Sequence, residues 1–199
     1  MVSVCSTTTA HPIVSSDDEL LILVDSNDQE IGQLDKATCH DGDGVLHRAF
    51  SAFVFNSAGE LLLQQRAAEK RLWGGFWSNS CCSHPRAGET MDEAVERRLA
   101  QELGMQVAMR FAYKFEYQAT FGAEGSEHEL CWVYVGESDG NPVVNGNEIA
   151  ATRWISVAEL SDSLASEPDR FTPWFLLEWQ QLSERGLLPD KRSTPVASS

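Results

Sequence analysis

The sequence has few basic side chains. Its 15 Lys and Arg residues stand against 30 Asp and Glu residues, which gives a formal net charge of −15. Binding to a nucleic-acid backbone needs clustered Lys and Arg that release counterions from the phosphates. We therefore expect no nucleic-acid partner. A small anionic molecule can be a substrate only if cations are gathered locally or a metal carries the charge.

Long apolar runs and secretion signals are also lacking. No stretch approaches the roughly 20 apolar residues that span a bilayer, and no signal-peptide pattern opens the chain. The five cysteines form an odd set without a secreted framework, which favours free thiols in a reducing compartment. We expect a cytoplasmic protein without a membrane partner. Its 199 residues suit one domain, expected over residues 19–188, between disordered tails at residues 1–18 and 189–199.

Alternating patterns and turn residues predict seven strands and three helices. The strands fall at residues 19–25, 31–34, 46–56, 61–66, 111–118, 127–136 and 151–155. Residues 46–56 are apolar on both faces, which is typical of a central strand. A capping box at Thr90 and Glu93 and a terminating Gly104 predict a helix from Met91 to Leu103. Two further helices follow Ser156 and Thr172, and residues 36–44 read as a polar loop.

A thiol and an imidazole lie two residues apart in the stretch before the first long helix. Side chains alternate along an extended segment, so Cys82 and His84 are expected to address one cavity. Alternation sends Cys81 to the opposite face, where packing is its expected role. Cys82 is therefore the candidate nucleophile or base.

Three of the five histidines and a pair of glutamates could bind a metal ion. Period two puts Glu127 and Glu129 on one face of a strand, and His128 on the other. With His40, His47 and His84 they offer a nitrogen and oxygen set that suits Mn, Fe or Zn. The alternatives are that the histidines are core residues with satisfied hydrogen bonds, and that the glutamates lie in solvent before the strand becomes buried.

A carboxylate interrupts the apolar stripe of the predicted helix. At about 100° per residue, Glu102 falls on the same face as Val95 and Leu99. Such a group needs a partner. Arg98, at i,i+4 spacing, is one possibility, and a metal ion is the other.

This helix and its approach resemble the Nudix box. The positions in register are Ser83 at the usual first glycine, Glu89, Arg97, Leu99, Glu102, Gly104 and Met105. Arg98 and Gln101 depart from the box, because glutamate is usual at both positions. Nudix hydrolases use those glutamates to gather magnesium ions around a diphosphate, so the departures disfavour hydrolysis.

The fuller pattern resembles the type I isopentenyl-diphosphate isomerases, relatives of the Nudix hydrolases, over about residues 19–185. The matching motifs are Lys36-Ala-Thr-Cys-His40, Leu46-His47-Arg-Ala-Phe-Ser51, Arg66-Ala-Ala-Glu-Lys70, Trp73-Gly-Gly-Phe-Trp77, Ser78-Asn-Ser-Cys-Cys82-Ser-His84-Pro, Tyr117, Glu127-His-Glu129 and Pro173-Trp174. The resemblance implies an α+β fold: a Nudix-type α/β/α sandwich with a mixed central sheet, N-terminal strands and C-terminal helices. It also implies interconversion of isopentenyl and dimethylallyl diphosphate, with protonation at C4 and deprotonation at C2.

The resemblance also implies a role for each site residue. Cys82 would remove the C2 proton, and Glu129, assisted by Tyr117, would deliver the other. One transition metal, Mn²⁺ or Zn²⁺, would be held by His40, His47, His84, Glu127 and Glu129, and a diphosphate-bound Mg²⁺ by Glu102. Lys36, Arg66 and Lys70 would contact the diphosphate, and Trp174 would face the substrate cation. Two alternatives remain: a Nudix pyrophosphohydrolase acting on another diphosphate, and a metal-stabilised binding module.

Overall fold

A computed structural model describes residues 11–189 of the chain. Within this range the strands are β1 (Leu20–Val24), β2 (Glu30–Asp35), β3 (His47–Phe55), β4 (Leu61–Arg66), β5 (Trp77–Ser78), β6 (Cys81–Ser83), β7 (Met109–Phe121), β8 (Gly125–Glu137) and β9 (Ile149–Ile155). The helices are α1 (Lys36–Cys39), α2 (Met91–Leu103), α3 (Val157–Ser166) and α4 (Pro173–Glu184), with a short 3-10 helix at Pro168–Arg170. None of the helices between residues 11 and 189 is long and apolar enough to cross a membrane.

The sheet is built around β3, as the two apolar faces of this strand predict. β3 pairs in parallel with β8 and antiparallel with β6. β7 forms a long antiparallel hairpin with β8, and β4 pairs antiparallel with β5 and β9. The β1–β2 hairpin joins through β1 to the start of β3. The expected mixed sheet is therefore confirmed.

Helices cover both faces of this sheet. On one face, Val95 and Leu99 of α2 pack in a buried cluster with Phe50 of β3. On the other, Phe175 of α4 packs in a second buried cluster with Phe53. Successive β3 residues alternate between these clusters, as side chains along a strand must. This arrangement confirms the α/β/α sandwich.

The helix α2 has the predicted bounds because its end signals are local. The Thr90 side chain accepts a hydrogen bond from the Glu93 N–H, and the Glu93 carboxylate accepts one from the Thr90 N–H. At the other end Gly104 adopts a left-handed conformation with φ of 62°. This conformation favours glycine, so the helix stops there.

Two segments of the chain differ from their expected structure. The loop expected at residues 36–44 begins with the four-residue helix α1, because the Asp35 carboxylate caps it by accepting from the Thr38 N–H at 2.9 Å. Residues 11–18 fall in the expected N-terminal tail, yet they lie against the domain: the Pro12 carbonyl accepts a hydrogen bond from Asn145, and the Val14 carbonyl accepts one from Arg98. The remaining tail residues, 1–10 and 190–199, lie outside the described residues.

Candidate active site

A cavity of about 240 Å³ opens at the end of the sheet near His47. Apart from His47 and Glu102, every predicted site residue lines it: Lys36, His40, Arg66, Lys70, Cys82, His84, Tyr117, Glu127, Glu129 and Trp174. These residues come from strands, loops and helices that are distant in sequence. The fold therefore brings the candidate thiol, the candidate acid and the candidate cations to one place.

Four of the predicted ligands form a compact group beside this cavity. One nitrogen or oxygen atom from each of His40, His47, His84 and Glu129 lies within 4.8 Å of the others, and all four residues are buried. His47 and Glu129 face each other because they are partners in the parallel β3–β8 pair. His84 follows β6, which lies on the other side of β3, and His40 follows α1. We call these four residues the metal group.

The hydrogen bonds of two histidines orient their rings as in a site for a divalent metal ion. The Nδ1 atom of His40 lies 2.6 Å from the Lys36 carbonyl oxygen, and the Nδ1 atom of His47 lies 2.7 Å from that of Val45. Such contacts fix the ring and direct Nε2 to a metal. The Nε2 atoms of His47 and His84 lie only 3.2 Å apart. Burial lowers the pKa of His84 to about 4, so this ring is neutral, as a ligand must be. Three nitrogens and one carboxylate suit a transition metal.

Glu127 lies beside the metal group. Its carboxylate is 2.8 Å from the Nε2 atom of His40. Burial opposes the charge on His40, but the Glu127 carboxylate outweighs it and raises the pKa of the ring. Glu127 is thus placed to hold or orient His40, and its role as a fifth ligand stays a prediction.

Tyr117 and Glu129 share a hydrogen bond at the cavity wall. The Tyr117 hydroxyl donates to Glu129 Oε2 at 2.6 Å, and Glu129 Oε1 lies 3.1 Å from His84 Nε2. Burial alone would raise the pKa of Glu129, but hydrogen bonds from His47 and His84 hold it well below its usual value. Burial and the adjacent carboxylate raise the pKa of Tyr117 far above its usual value. The shared proton therefore resides on the phenol.

Cys82 faces the same cavity, and alternation along β6 places it there as predicted. Cys81 points the other way and is fully buried in the cluster with α2. Arg66 lies next to Cys82, with Nη1 3.7 Å from the sulfur, and its guanidinium also stacks over the Trp174 ring at 5.2 Å. Burial raises the pKa of Cys82 to about 12, although the charge of Arg66 opposes this shift. The thiol is therefore protonated at neutral pH and becomes a strong base when it loses its proton.

Basic side chains form another part of the cavity lining. Lys36, Arg66 and Lys70 all line it. Lys70 pairs with the buried Glu148, and the Lys36 ammonium donates to Ser15 Oγ at 2.5 Å. Burial and the charge of Lys70 lower the pKa of Lys36. A chain with a net charge of −15 thus concentrates cations here, as an anionic ligand requires.

Glu102 has the first of the two partners that its sequence position allows. Its Oε1 atom lies 2.6 Å from Arg98 Nη2, and both side chains are about 2% exposed. Arg98 lines the cavity and is also 3.7 Å from Glu148, whereas Glu102 lies behind it. The magnesium role of Glu102 stays a prediction.

Known proteins resemble the chain in both sequence and fold. Residues 45–175 match the NUDIX domain family. An isopentenyl-diphosphate Delta-isomerase of Burkholderia multivorans is 48% identical over 158 residues, which cover 79% of this chain and 89% of that protein. The enzyme of the same name from Serratia proteamaculans is 45% identical over 159 residues, 80% of this chain and 88% of that one. The chain belongs to the isopentenyl-diphosphate Delta-isomerase family.

Solved structures place this isomerase family member among Nudix folds. A crystal structure of a Deinococcus radiodurans protein superposes with a TM-score of 0.62 at 26% identity, covering 75% of this chain and 90% of that one. The MutT protein of Methanosarcina mazei superposes with a TM-score of 0.58, covering 72% of this chain and 96% of that one. Its 19% identity supports the fold alone.

Several residues of this isomerase family member were missed by sequence reasoning. Glu148 and Arg71 line the cavity, and Glu178 is fully buried and accepts from the Cys131 thiol at 3.4 Å. Burial raises the pKa of Glu178 to about 8. Glu178 had a signal, because it follows Trp174 and precedes Leu182 on the apolar face of α4. Glu148 lies just before β9 in a segment without periodicity, so no pattern marked it.

Proposed function

We propose that this protein interconverts isopentenyl diphosphate and dimethylallyl diphosphate. One observation carries the proposal: a thiol, a phenol–carboxylate pair and a group of cations line the same cavity. A small apolar chain with a diphosphate at one end needs these groups in one pocket. The names of the curated relatives agree with it. The proposed setting is the cytoplasm, where Cys82 stays a free thiol.

The reaction moves a double bond by one proton transfer in and one out. The Tyr117–Glu129 pair holds a proton and delivers it to C4, which becomes a methyl group and leaves a tertiary cation at C3. The Cys82 thiol must first lose its own proton to solvent, and the thiolate then takes a proton from C2 while the electrons of that C–H bond form the new C2–C3 double bond. The Trp174 ring stabilises the cation through its negative face, and the Arg66 guanidinium lies 5.2 Å from the centre of that ring.

Metal ions complete the proposed site. A transition metal, Mn²⁺ or Zn²⁺, held by the metal group with Glu127 beside it, would fix the Glu129 carboxylate and set its acidity. At the other end Lys36, Arg66 and Lys70 bind the diphosphate as point charges and a guanidinium fork. Glu102 is proposed to hold a diphosphate-bound Mg²⁺, which requires Arg98 to move from its present ion pair.

The proposal is tested by following solvent deuterium into the product. The protein is incubated with isopentenyl diphosphate and Mg²⁺ in D₂O, and the products are analysed by NMR spectroscopy. Deuterium-labelled dimethylallyl diphosphate is expected, and Cys82→Ala should form none. Released phosphate or pyrophosphate without label would instead identify a pyrophosphohydrolase. Retention of unlabelled substrate by a metal-loaded protein would identify a binding module.

A further inference from the structure

His40 is held differently from the other members of the metal group. His47 and Glu129 lie on paired strands, and His84 directly follows β6, so the sheet positions all three. His40 instead follows the four-residue helix α1. A helix this short is not stable by its own hydrogen bonds. The position of His40 must therefore depend on contacts from outside α1.

Arg71 supplies contacts on both sides of His40. Its Nη1 atom donates to the Ala37 carbonyl at 3.1 Å, and its Nη2 atom donates to Asp41 Oδ1 at 2.5 Å. The same guanidinium donates from Nε and Nη2 to the Glu124 carbonyl, at 3.0 and 2.7 Å. Glu124 belongs to the turn between β7 and β8. One side chain thus ties the His40 segment to the sheet on which Glu129 lies.

The β7–β8 turn fits closely against the same segment. The Ser126 N–H donates to the His40 carbonyl at 3.0 Å. At Gly125, where φ is 140°, a Cβ atom would overlap that carbonyl oxygen. The close approach therefore requires glycine at position 125. With Arg71 bonded to the turn, this contact restricts the position of the His40 backbone.

The hydrogen bonds of Arg71 also show what it does not do. They use its Nε proton, one Nη1 proton and both Nη2 protons, which are four of the five that a guanidinium carries. Little donor capacity is left for a substrate phosphate. Arg71 lines the cavity next to Lys70, but its hydrogen bonds are directed to the protein.

We infer that Arg71 is a positioning residue for the metal group: it fixes His40 at coordinating distance from His47, His84 and Glu129. The inference rests on the metal centre of the proposed function. Residues that orient metal ligands typically change metal affinity by about 10- to 100-fold when they are replaced. Lys70 precedes Arg71 in the chain, so Arg71 also links the His40 segment to the loop that carries Lys70.

Metal affinity of purified variants tests this inference. Zn²⁺ binding to the apo-protein is measured by competition with a chromophoric chelator, at a temperature where every variant is folded. Arg71→Gln should bind Zn²⁺ about 10-fold or more weakly, with Arg71→Lys and Asp41→Asn in between. Arg170→Gln is the matched control, since Arg170, on the 3-10 segment, forms its ion pair among residues 11–189 with the exposed Glu167. Its affinity should equal that of the wild type.

An Arg71→Gln affinity within twofold of the wild type would overturn the inference, even if its melting temperature falls. His47→Ala identifies the site, because it should abolish the binding that is being compared. Equal Zn²⁺ binding by His47→Ala and the wild type would show that the metal group does not bind the ion, and would overturn the inference. The deuterium assay would still decide the proposed isomerisation separately.

Discussion

The two carboxylate oxygens of Glu129 have different partners: Oε2 accepts a hydrogen bond from Tyr117, and Oε1 faces the histidines of the metal group. The phenol donates to Oε2 at 2.6 Å, while Oε1 lies 3.1 Å from His84 and 3.7 Å from His47. A carboxylate shared in this way can bind a metal through one oxygen while the other remains in contact with a proton. The proposed acid therefore depends on Tyr117 as well as on Glu129.

Replacing Tyr117 with Phe tests this dependence. The ring remains in its aromatic surroundings beside Phe115 and Trp174, but the hydroxyl that donates its proton to Glu129 Oε2 is lost. We expect kcat to fall about 100-fold, with little change in KM or metal content. Steady-state kinetics and metal analysis measure these quantities. If Tyr117→Phe kept the kcat of the wild type, the Tyr117 hydroxyl would have no part in proton delivery and the ring would serve packing alone.

The two adjacent cysteines should respond differently to alanine. Cys82→Ala removes the proposed base, so we expect turnover to fall by about 10³-fold or more at unchanged stability. Cys81→Ala leaves a small cavity beside α2 and should lower the free energy of unfolding by about 1 kcal/mol while most activity remains. Kinetics and thermal melts of both variants make the comparison. Equal loss of activity would contradict the roles given to the two faces of β6.

Glu102→Gln distinguishes a magnesium ligand from a structural ion pair. Glutamine can still accept from Arg98 but loses the charge, so we expect the free energy of unfolding to fall by about 1 to 3 kcal/mol. If Glu102 also holds Mg²⁺, the Mg²⁺ concentration at half-maximal rate should rise severalfold. Glu96→Gln, exposed on the same helix, should change neither quantity. An unchanged Mg²⁺ dependence in a less stable Glu102→Gln protein would leave Arg98 as the sole partner.

Glu178 should make stability depend on pH. Burial raises its pKa from 4.5 to about 8, so between these values the folded protein holds a proton that the unfolded chain releases. The free energy of unfolding is therefore unaffected by the titration of this group below about pH 4.5. It falls as pH rises from there towards 8, by at most about 1.4 kcal/mol per pH unit. Glu178→Gln cannot titrate. Its melting temperature should exceed that of the wild type by a margin that grows from about pH 5 to about pH 8. A margin that is constant over this range would refute the shift.

The parts of the fold that could be predicted are those with local signals. The capping box and Gly104 define α2 to the residue, and alternation assigns Cys81 and Cys82 to opposite faces. The helix α1 has too few residues to show a period. The packing of residues 11–18 depends on Asn145 and Arg98, which are distant in sequence, so no local pattern announces it.

The sequence pointed to residues that line one cavity, but it did not give the distances among them. Alternation puts Glu127 and Glu129 on one face, but it does not say that Glu129 joins the three histidines while Glu127 pairs with His40. Those contacts depend on the register of β8 against β3. In the same way, the spacing of Glu102 allowed two partners, and only tertiary packing shows the buried pair with Arg98.

The parallel pairing of β3 with β8 has a consequence for the order of folding. His47 and Glu129 meet only after the chain between them has closed a long loop, and such non-local parallel contacts form slowly. The complete metal group therefore forms only once β3 and β8 have paired. Bound metal should leave the refolding rate of the protein unchanged and slow its unfolding. Metal would thus prolong the lifetime of the folded state without helping the chain to reach it.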